Sequence, residues 1–311
     1  MFEQILEEIK KFDTIILHRH NKPDGDAMGS QIGLKHILKD TFPQKTIYMV
    51  GDNAGRYDFM EDCIMDEVPD SVFPNALSII LDCGAEALVS DTRFTSAAET
   101  ARIDHHMFSG AFADVEVIDS SYESCCGLIA QMAMEQNLKV SSLAAASLYT
   151  GMITDSGRFR YDSTTPDTFR RAAFLLEHGI DTNAIYLNLY ADEFEMKRLH
   201  AEFTLKIKFT PKKVAYIYTT KEEMEELKKD SFTISRGMVN TMADIRGVEI
   251  WANFTETSEG ILCELRSSNQ SINHIAVKYG GGGHAKACGA TVASKEIAMQ
   301  MLADLDDMIQ E

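Results

Sequence analysis

Four acidic motifs in this chain carry the residue types of a divalent-metal site. They are His20-Asn21-Lys22-Pro23-Asp24-Gly25-Asp26, Asp82, Asp104-His105-His106, and Asp155 within Ile153-Thr154-Asp155-Ser156-Gly157-Arg158. Each is placed where a β-strand should end. Together they supply oxygen and imidazole ligands for a pair of divalent ions, a chemistry suited to phosphoester hydrolysis. The mixed donor set favours Mn²⁺, with Mg²⁺ or Co²⁺ as alternatives, because Ca²⁺ and Mg²⁺ prefer all-oxygen shells. Each motif also has a plainer reading. Asp24 and Asp26 suit a turn and a helix N-cap, Asp82 and Asp104 suit loop caps, and His105 and His106 suit an exposed surface. Four independent caps would not bring two histidines and several carboxylates to one sheet edge, so the joint metal reading is preferred. His18, two residues before His20 and on the same strand face, is the spare candidate.

The elements that must position these motifs read as a parallel sheet with crossover helices. Residues 14–18, 45–50, 77–81, 101–103 and 115–118 are strand-like. Residues 27–38, 124–135 and 142–152 are helical, and the Thr164-Thr165-Pro166-Asp167 start opens a helix that Gly179 ends. Open parallel sheets place ligands at the carboxyl ends of their strands, near helix N-termini. A charged helical connection over 181–209 precedes a change of texture after Pro211. Beyond it lie a strand at 214–218, helices at 222–229 and 235–244, a hairpin from 249–254 and 261–266, a helix at 272–279, and a closing helix at 294–310.

At 311 residues the chain exceeds the usual single-domain size, so two domains are expected. The formal net charge of −18 argues against a surface that tracks long nucleic acid, because phosphate neutralisation needs a basic face. A small phosphorylated ligand, held by metals and a few cations, stays compatible with it. The six cysteines show no zinc spacing and read as core residues in a reducing compartment. No run is long and apolar enough to span a membrane, and 140–153 reads as a buried helix. The acidic amphipathic start, Met1–Glu8 in sequence, lacks the basic region of a signal peptide, so the cytoplasm is the expected location.

The second half carries Arg266-Ser267-Ser268-Asn269 and Gly280-Gly281-Gly282-Gly283-His284. Four glycines can bare backbone N–H groups to a phosphate or a flat base, or can form a plain flexible loop. Asn273 suits a helix cap.

The four motifs, in this order and spacing, resemble the DHH phosphoesterase superfamily, and the resemblance covers nearly the whole chain. Its first motif matches His20, Pro23, Asp24, Gly25 and Asp26, followed by Gly29-Ser30; its second matches Asp82, its third Asp104-His105-His106, and its fourth Asp155. The resemblance implies that His20, Asp24 and Asp82 hold one ion. Asp26, Asp82, His105 and Asp155 hold the other, with Asp82 bridging. Ions about 3.5–4 Å apart would activate a water for in-line attack on phosphorus and stabilise the phosphoryl oxygens. His106 would contact the scissile phosphate, Asp104 would support the histidine pair, and Asp82, His106 and Asp104 form the catalytic set. The chain departs from the pattern after Asp82, where Cys83-Gly84-Ala85-Glu86-Ala87-Leu88-Val89 lacks the arginine often found there.

The C-terminal cluster resembles a DHHA1 domain, in which the arginine, glycine loop and histidine bind the nucleotide. The implied substrate contacts are His106, Arg158, Arg266, Ser267, Gly281, Gly282, Gly283 and His284. The fold class implied is α/β: a DHH domain over 1–185, a helical linker over 186–210 and a smaller α/β DHHA1 domain over 211–311, with the active site in the cleft between domains. The pairing looks like the nanoRNase and pAp-phosphatase group and the similar cyclic-di-AMP/pApA phosphodiesterases. Candidate substrates are pApA, RNAs of two to five residues, pAp and cyclic di-AMP. A non-catalytic cyclic-dinucleotide sensor and a pyrophosphatase or polyphosphatase are the competing readings. Oligomeric state stays open, a homodimer being one candidate.

Overall fold

An apolar run after an acidic amphipathic one begins the architecture: helix α1 (Glu3–Lys11) buries Ile5, Leu6 and Ile9, and β1 (Thr14–Arg19) follows. The computed structural model describes residues 2–309. Met1 and Gln310, expected in the terminal helices, lie outside the described residues, as does Glu311. The chain forms two units, Met1–Ala191 and Asp192–Glu311, so the boundary falls inside the 186–210 segment expected as the linker.

In the first unit, β1 pairs in parallel with β2 (Thr46–Met49) and β3 (Leu77–Leu81). The sheet continues through β4 (Glu99–Asp104) to β5 (Val115–Ile118), in the order β2-β1-β3-β4-β5. All five residues of β3 are buried, as a parallel strand covered on both faces should be. The strand order reverses between β1 and β3, which makes their carboxyl ends the expected ligand crevice of a doubly wound sheet.

Helices α2 (Gly25–Thr41) and α3 (Cys125–Glu135) pack on this sheet, and α4 (Ser142–Asp155) packs on those two helices. Gly25, Gly29 and Gly33 recur every fourth residue, on one face of α2. A Cβ at Gly29 would lie 2.4 Å from the Ser147 carbonyl oxygen, and one at Gly25 would lie 2.4 Å from Thr154 Oγ1. The missing side chains therefore let α2 and α4 approach closely. Contrary to the sequence expectation, Asp155 does not close a strand. The helix expected to end at 152 runs on to Asp155, whose carboxylate is delivered by the α4 C-terminus. After it, α5 (Pro166–Leu176) starts with a Thr165/Thr168 capping box, and α6 (Thr182–Tyr190) ends the unit.

The second unit begins with α7 (Phe194–Leu205) and is built on a six-stranded mixed sheet. Its strands are β6 (Lys208–Phe209), β7 (Ala215–Thr219), β8 (Ile250–Thr257), β9 (Gly260–Ser267), β10 (Gly282–Gly283) and β11 (Ala287–Val292). Three further helices belong to it: α8 (Lys221–Leu227), α9 (Asn273–Lys278) and α10 (Lys295–Asp307). The helix expected at 235–244 is instead a π-helical turn, Thr233–Gly237, followed by a 3₁₀ turn, Val239–Met242. The buried Asn253 on β8 explains the departure: its Nδ2 donates to the carbonyls of Ile234 and Ser235, each at 2.7 Å, and so satisfies acceptors that a regular helix would use itself. Among the described residues, no helix is long and apolar enough to cross a membrane.

Candidate functional site

The loop after β1 carries His20. It is tied down by the buried Arg19, which donates to the His20 carbonyl at 3.1 Å and to Asp52 Oδ1 at 2.7 Å. The neighbouring segment, where the family pattern often has an arginine, contributes backbone instead: Asn21 N–H donates to the Leu88 carbonyl at 2.8 Å. His20 Nδ1 faces the Asn21 carbonyl at 2.8 Å, so that nitrogen is the donor and Nε2 carries the free lone pair of the neutral ring. Nε2 lies 3.8 Å from Asp24 Oδ1 and 3.6 Å from Asp82 Oδ2.

Asp24 caps α2, its Oδ1 accepting from the backbone of Asp26 and Ala27, each at 3.0 Å. Cap and ligand are therefore compatible roles for one carboxylate. Asp26 is buried, and sits against the N-terminus of α3: Oδ2 accepts from Cys125 N at 2.7 Å and Oδ1 from Cys126 N at 2.9 Å. Composition assigns the adjacent cysteines to the core and nothing more. Their backbone aims Asp26, a role that the Ser124 N-cap of α3 signals in sequence.

Asp82 follows β3 with φ of 49°, in the left-handed region that aspartate tolerates at a cost of about 1 kcal/mol or more. That turn points its carboxylate, 2% exposed, between two imidazoles. His105 Nε2 lies 3.5 Å from Asp82 Oδ1, 3.7 Å from Asp26 Oδ2 and 3.3 Å from Asp155 Oδ2. His105 Nδ1 faces the Tyr122 carbonyl at 3.3 Å, which again directs Nε2 to the carboxylates. Asp104 orients His106 rather than His105, with Oδ1 at 2.7 Å from His106 Nδ1, while Oδ2 lies 2.5 Å from Nη2 of the buried Arg102. His106 is 48% exposed, with its ring against Gly84, where an added Cβ would sit 3.3 Å from the ring. Its unclaimed Nε2 can serve a substrate. The spare candidate His18 is elsewhere: it is fully buried, 3.0 Å from Ser78 Oγ, among Phe73 and Phe94.

The electrostatics report a surplus of negative charge. Burial opposes charging of His20, yet Asp24 and Asp82 outweigh it and push the imidazole up to about 11. Burial likewise opposes His105, and Asp82, Asp26 and Asp155 lift it to about 10. Burial and the charges of Asp82 and Asp155 hold Asp26 well above the carboxylate range, and burial with Asp82 and Asp24 raises Asp155 to about 7. Asp82 is held low; burial works against its charge, and His105 and His20 overcome it. Three ligand groups converge: His20, Asp24 and Asp82; Asp26, His105 and Asp155; and Asp82, His105 and His106. Asp82 Oδ1 is buried without a hydrogen-bond partner, an acceptor left for a cation. The donor set fits two divalent ions sharing Asp82.

Arg158 follows Asp155 by three residues. It and Phe159 both adopt positive φ, 65° and 62°, and the exposed guanidinium stacks 5.0 Å from the Tyr190 ring. Strained backbone of this kind clusters at functional sites.

The second unit holds a cavity of about 650 Å³ lined by Arg236, Glu264, Arg266, Gly280 to Gly283 and His284, among others. The glycines are not a free loop. Gly282 and Gly283 pair with Gly289 and Cys288, and a Cβ at Gly281 would lie 2.0 Å from the Gly289 carbonyl. Arg266 Nη1 sits 3.0 Å from Glu264 Oε2 and donates to the Leu265 carbonyl at 2.9 Å. Ser267, expected beside it, does not line the cavity: the β9 alternation buries it, and its hydroxyl accepts from Gln270 N at 3.2 Å. Asn273 is the first residue of α9, with its Oδ1 buried and unpartnered. Arg236 belongs to no sequence motif, and only its place on the cavity wall singles it out.

The first unit matches the family model described as DHH family, N-terminal domain, over residues 14–152, and the second matches the DHHA1 domain over residues 214–311. The chain is 32% identical to the protein named bifunctional oligoribonuclease and PAP phosphatase NrnA of Bacillus subtilis (strain 168), covering 100% of this chain and 99% of that one. It is 33% identical to a probable protein of the same name in Streptococcus mutans, covering 100% and 97%. Among solved structures it resembles an exopolyphosphatase-related protein from Bacteroides fragilis, with TM-score 0.86, 26% identity, and coverage of 100% and 97%.

Proposed function

The chain belongs to the DHH family of phosphoesterases, with a DHHA1 domain, and from that premise we propose that it hydrolyses short nucleotides to mononucleotides using two divalent ions, Mn²⁺ by preference. The substrates in this reading are pApA, RNAs of two to five residues and pAp, with cyclic di-AMP as a further member. The observation that carries it is Asp82, whose orphaned Oδ1 sits between two imidazoles at the junction of the ligand groups. The names of the Bacillus and Streptococcus relatives, oligoribonuclease and PAP phosphatase, support the substrate class.

His20, Asp24 and Asp82 would hold one ion; Asp26, His105, Asp155 and Asp82 the other. When bound, the ions supply Lewis acidity and an activated water for attack on phosphorus. The chain's own residues prepare the rest. The carbonyls of Asn21 and Tyr122 orient the ligand imidazoles, and the α3 N-terminus holds Asp26. Asp104 fixes the proton of His106 on Nδ1 or shares it, and raises the basicity of the ring ahead of the opposing effect of burial. As an imidazolium, His106 donates Nε2–H to a phosphoryl oxygen, adding charge stabilisation where it develops. Asp104 and Arg102 act as positioning residues behind it. Arg266, the glycine strand and His284 take the nucleotide in the second unit, and Arg158 offers a cation beside Asp155. The free, mostly buried cysteines fit a reducing cytoplasm.

A panel of pApA, pAp, cyclic di-AMP, RNA of graded length and pyrophosphate, assayed with Mn²⁺, tests the reading. Mononucleotide release from the short members, falling off beyond about five residues, is expected. Binding of a cyclic dinucleotide without product, or phosphate release from pyrophosphate alone, would replace it with the sensor or pyrophosphatase readings.

A further inference from the structure

The cavity of the second unit contains two guanidinium groups, and they are not equivalent. Arg266 is held by Glu264 at 3.0 Å and by its own chain at the Leu265 carbonyl, so its charge is offset within the cavity. Arg236 makes no ion pair among the described residues; its guanidinium rests 5.7 Å from the Phe232 ring. It is also placed by dedicated structure. It sits on the π-helical turn Thr233–Gly237, an irregularity rare in folded chains and frequent at functional sites. The turn is pinned by Asn253, whose buried amide donates two 2.7 Å hydrogen bonds to the carbonyls just before Arg236. Asn253 lies directly opposite Glu264 in the β8–β9 ladder, and Trp251 lies opposite Arg266. Paired residues share a sheet face, so the amide that holds the turn stands on the same face as the Glu264–Arg266 pair.

We propose that Arg236 reads a terminal phosphate monoester of the bound nucleotide, which makes the second unit selective for phosphorylated ends. The proposal rests on the reading above that this unit binds the nucleotide. A phosphate monoester carries close to two charges at neutral pH, a phosphodiester only one. With Arg266 balanced by Glu264, the surplus positive charge of Arg236 favours the monoester, and its planar fork suits three terminal oxygens. The carbonyl clamp of Asn253 fixes the direction of approach.

The test compares pApA with ApA, which lacks the terminal phosphate, on wild type and Arg236→Gln. The ratio of kcat/KM values for pApA over ApA should fall by roughly 10–100-fold, as a charged hydrogen-bond pair implies. The loss should fall in KM, and Arg236→Lys should recover part of it. Calorimetry provides a second readout without turnover: Arg236→Gln should weaken AMP binding by roughly tenfold or more and leave adenosine binding unchanged. An unaltered ratio with unaltered AMP affinity, in a wild type that cleaves pApA, overturns the phosphate assignment alone. A wild type that cleaves neither dinucleotide and binds no AMP overturns the functional reading and this inference together.

Discussion

At the scale of single residues, the Asp-His-His triplet separates two roles. His105 turns one nitrogen to a backbone carbonyl and the other to three carboxylates, whereas His106 leans on Asp104 and keeps Nε2 open. The residue types that converge are legible in sequence, since aspartate and histidine beside short apolar runs have few chemical alternatives. The strand-end rule fails for Asp155, which ends a helix. That Tyr122 O, not Asp104, supports His105 is not legible, because a carbonyl carries no side-chain signature. His18 shows why geometry has to choose between two neighbouring histidines. Burial, only partly opposed by Asp91 and reinforced by the charge of Arg93, pulls its imidazole down to about 4. The unfolded chain therefore binds a proton near the ordinary value of about 6.5 that the folded chain refuses. His18 contributes its full stability above pH 6.5 and loses it as pH falls toward 4, up to about 3 kcal/mol. Denaturant melts of wild type and His18→Gln should show a stability difference that changes across this window and is flat above it; parallel curves throughout would refute the neutral, buried assignment.

At the scale of elements, the strands are the most legible part, with β3 and β5 found at the residues expected. Their apolar runs are short, and each is bounded by polar or turn residues. Helix ends are harder. The α4 run continues through Ile153 and Thr154, β-branched residues that suggest a strand, because packing against α2 outweighs their weak propensity. The π-turn is invisible for a related reason: its stabilising amide, Asn253, lies on another element. The glycines of α2 decide where α4, and so Asp155, can sit. Gly29→Ala should press a methyl into the Ser147 carbonyl, 2.4 Å away, and cost about 1–3 kcal/mol. Tm should fall by roughly 3–10 °C and activity should fall further than stability explains, because Asp26 and Asp155 shift apart. An unchanged Tm with full activity would show that the helix contact does not set the site.

At the scale of the whole molecule, a chain with net charge −18 concentrates its useful cations locally. Arg158 follows Asp155 by three residues and stacks on Tyr190, and Arg236 and Arg266 share one cavity. Such a distribution suits, in the proposed function, a ligand of a few phosphates. In the proposed function the two units play separate parts. The parallel sheet converges carboxylates and imidazoles at its switch point, and the mixed sheet recognises the nucleotide. The central claim is that Asp82 joins two divalent ions into one hydrolytic site. Its most direct test is a Mn²⁺ titration of metal-stripped protein, followed by calorimetry and by AMP release from pApA, in wild type and Asp82→Ala. Two ions per wild-type chain are expected, with turnover rising as they bind, and in Asp82→Ala fewer than two ions and at least a roughly thousandfold loss of kcat. Full turnover in the metal-stripped wild type, or two-ion binding with undiminished AMP release in Asp82→Ala, would contradict it.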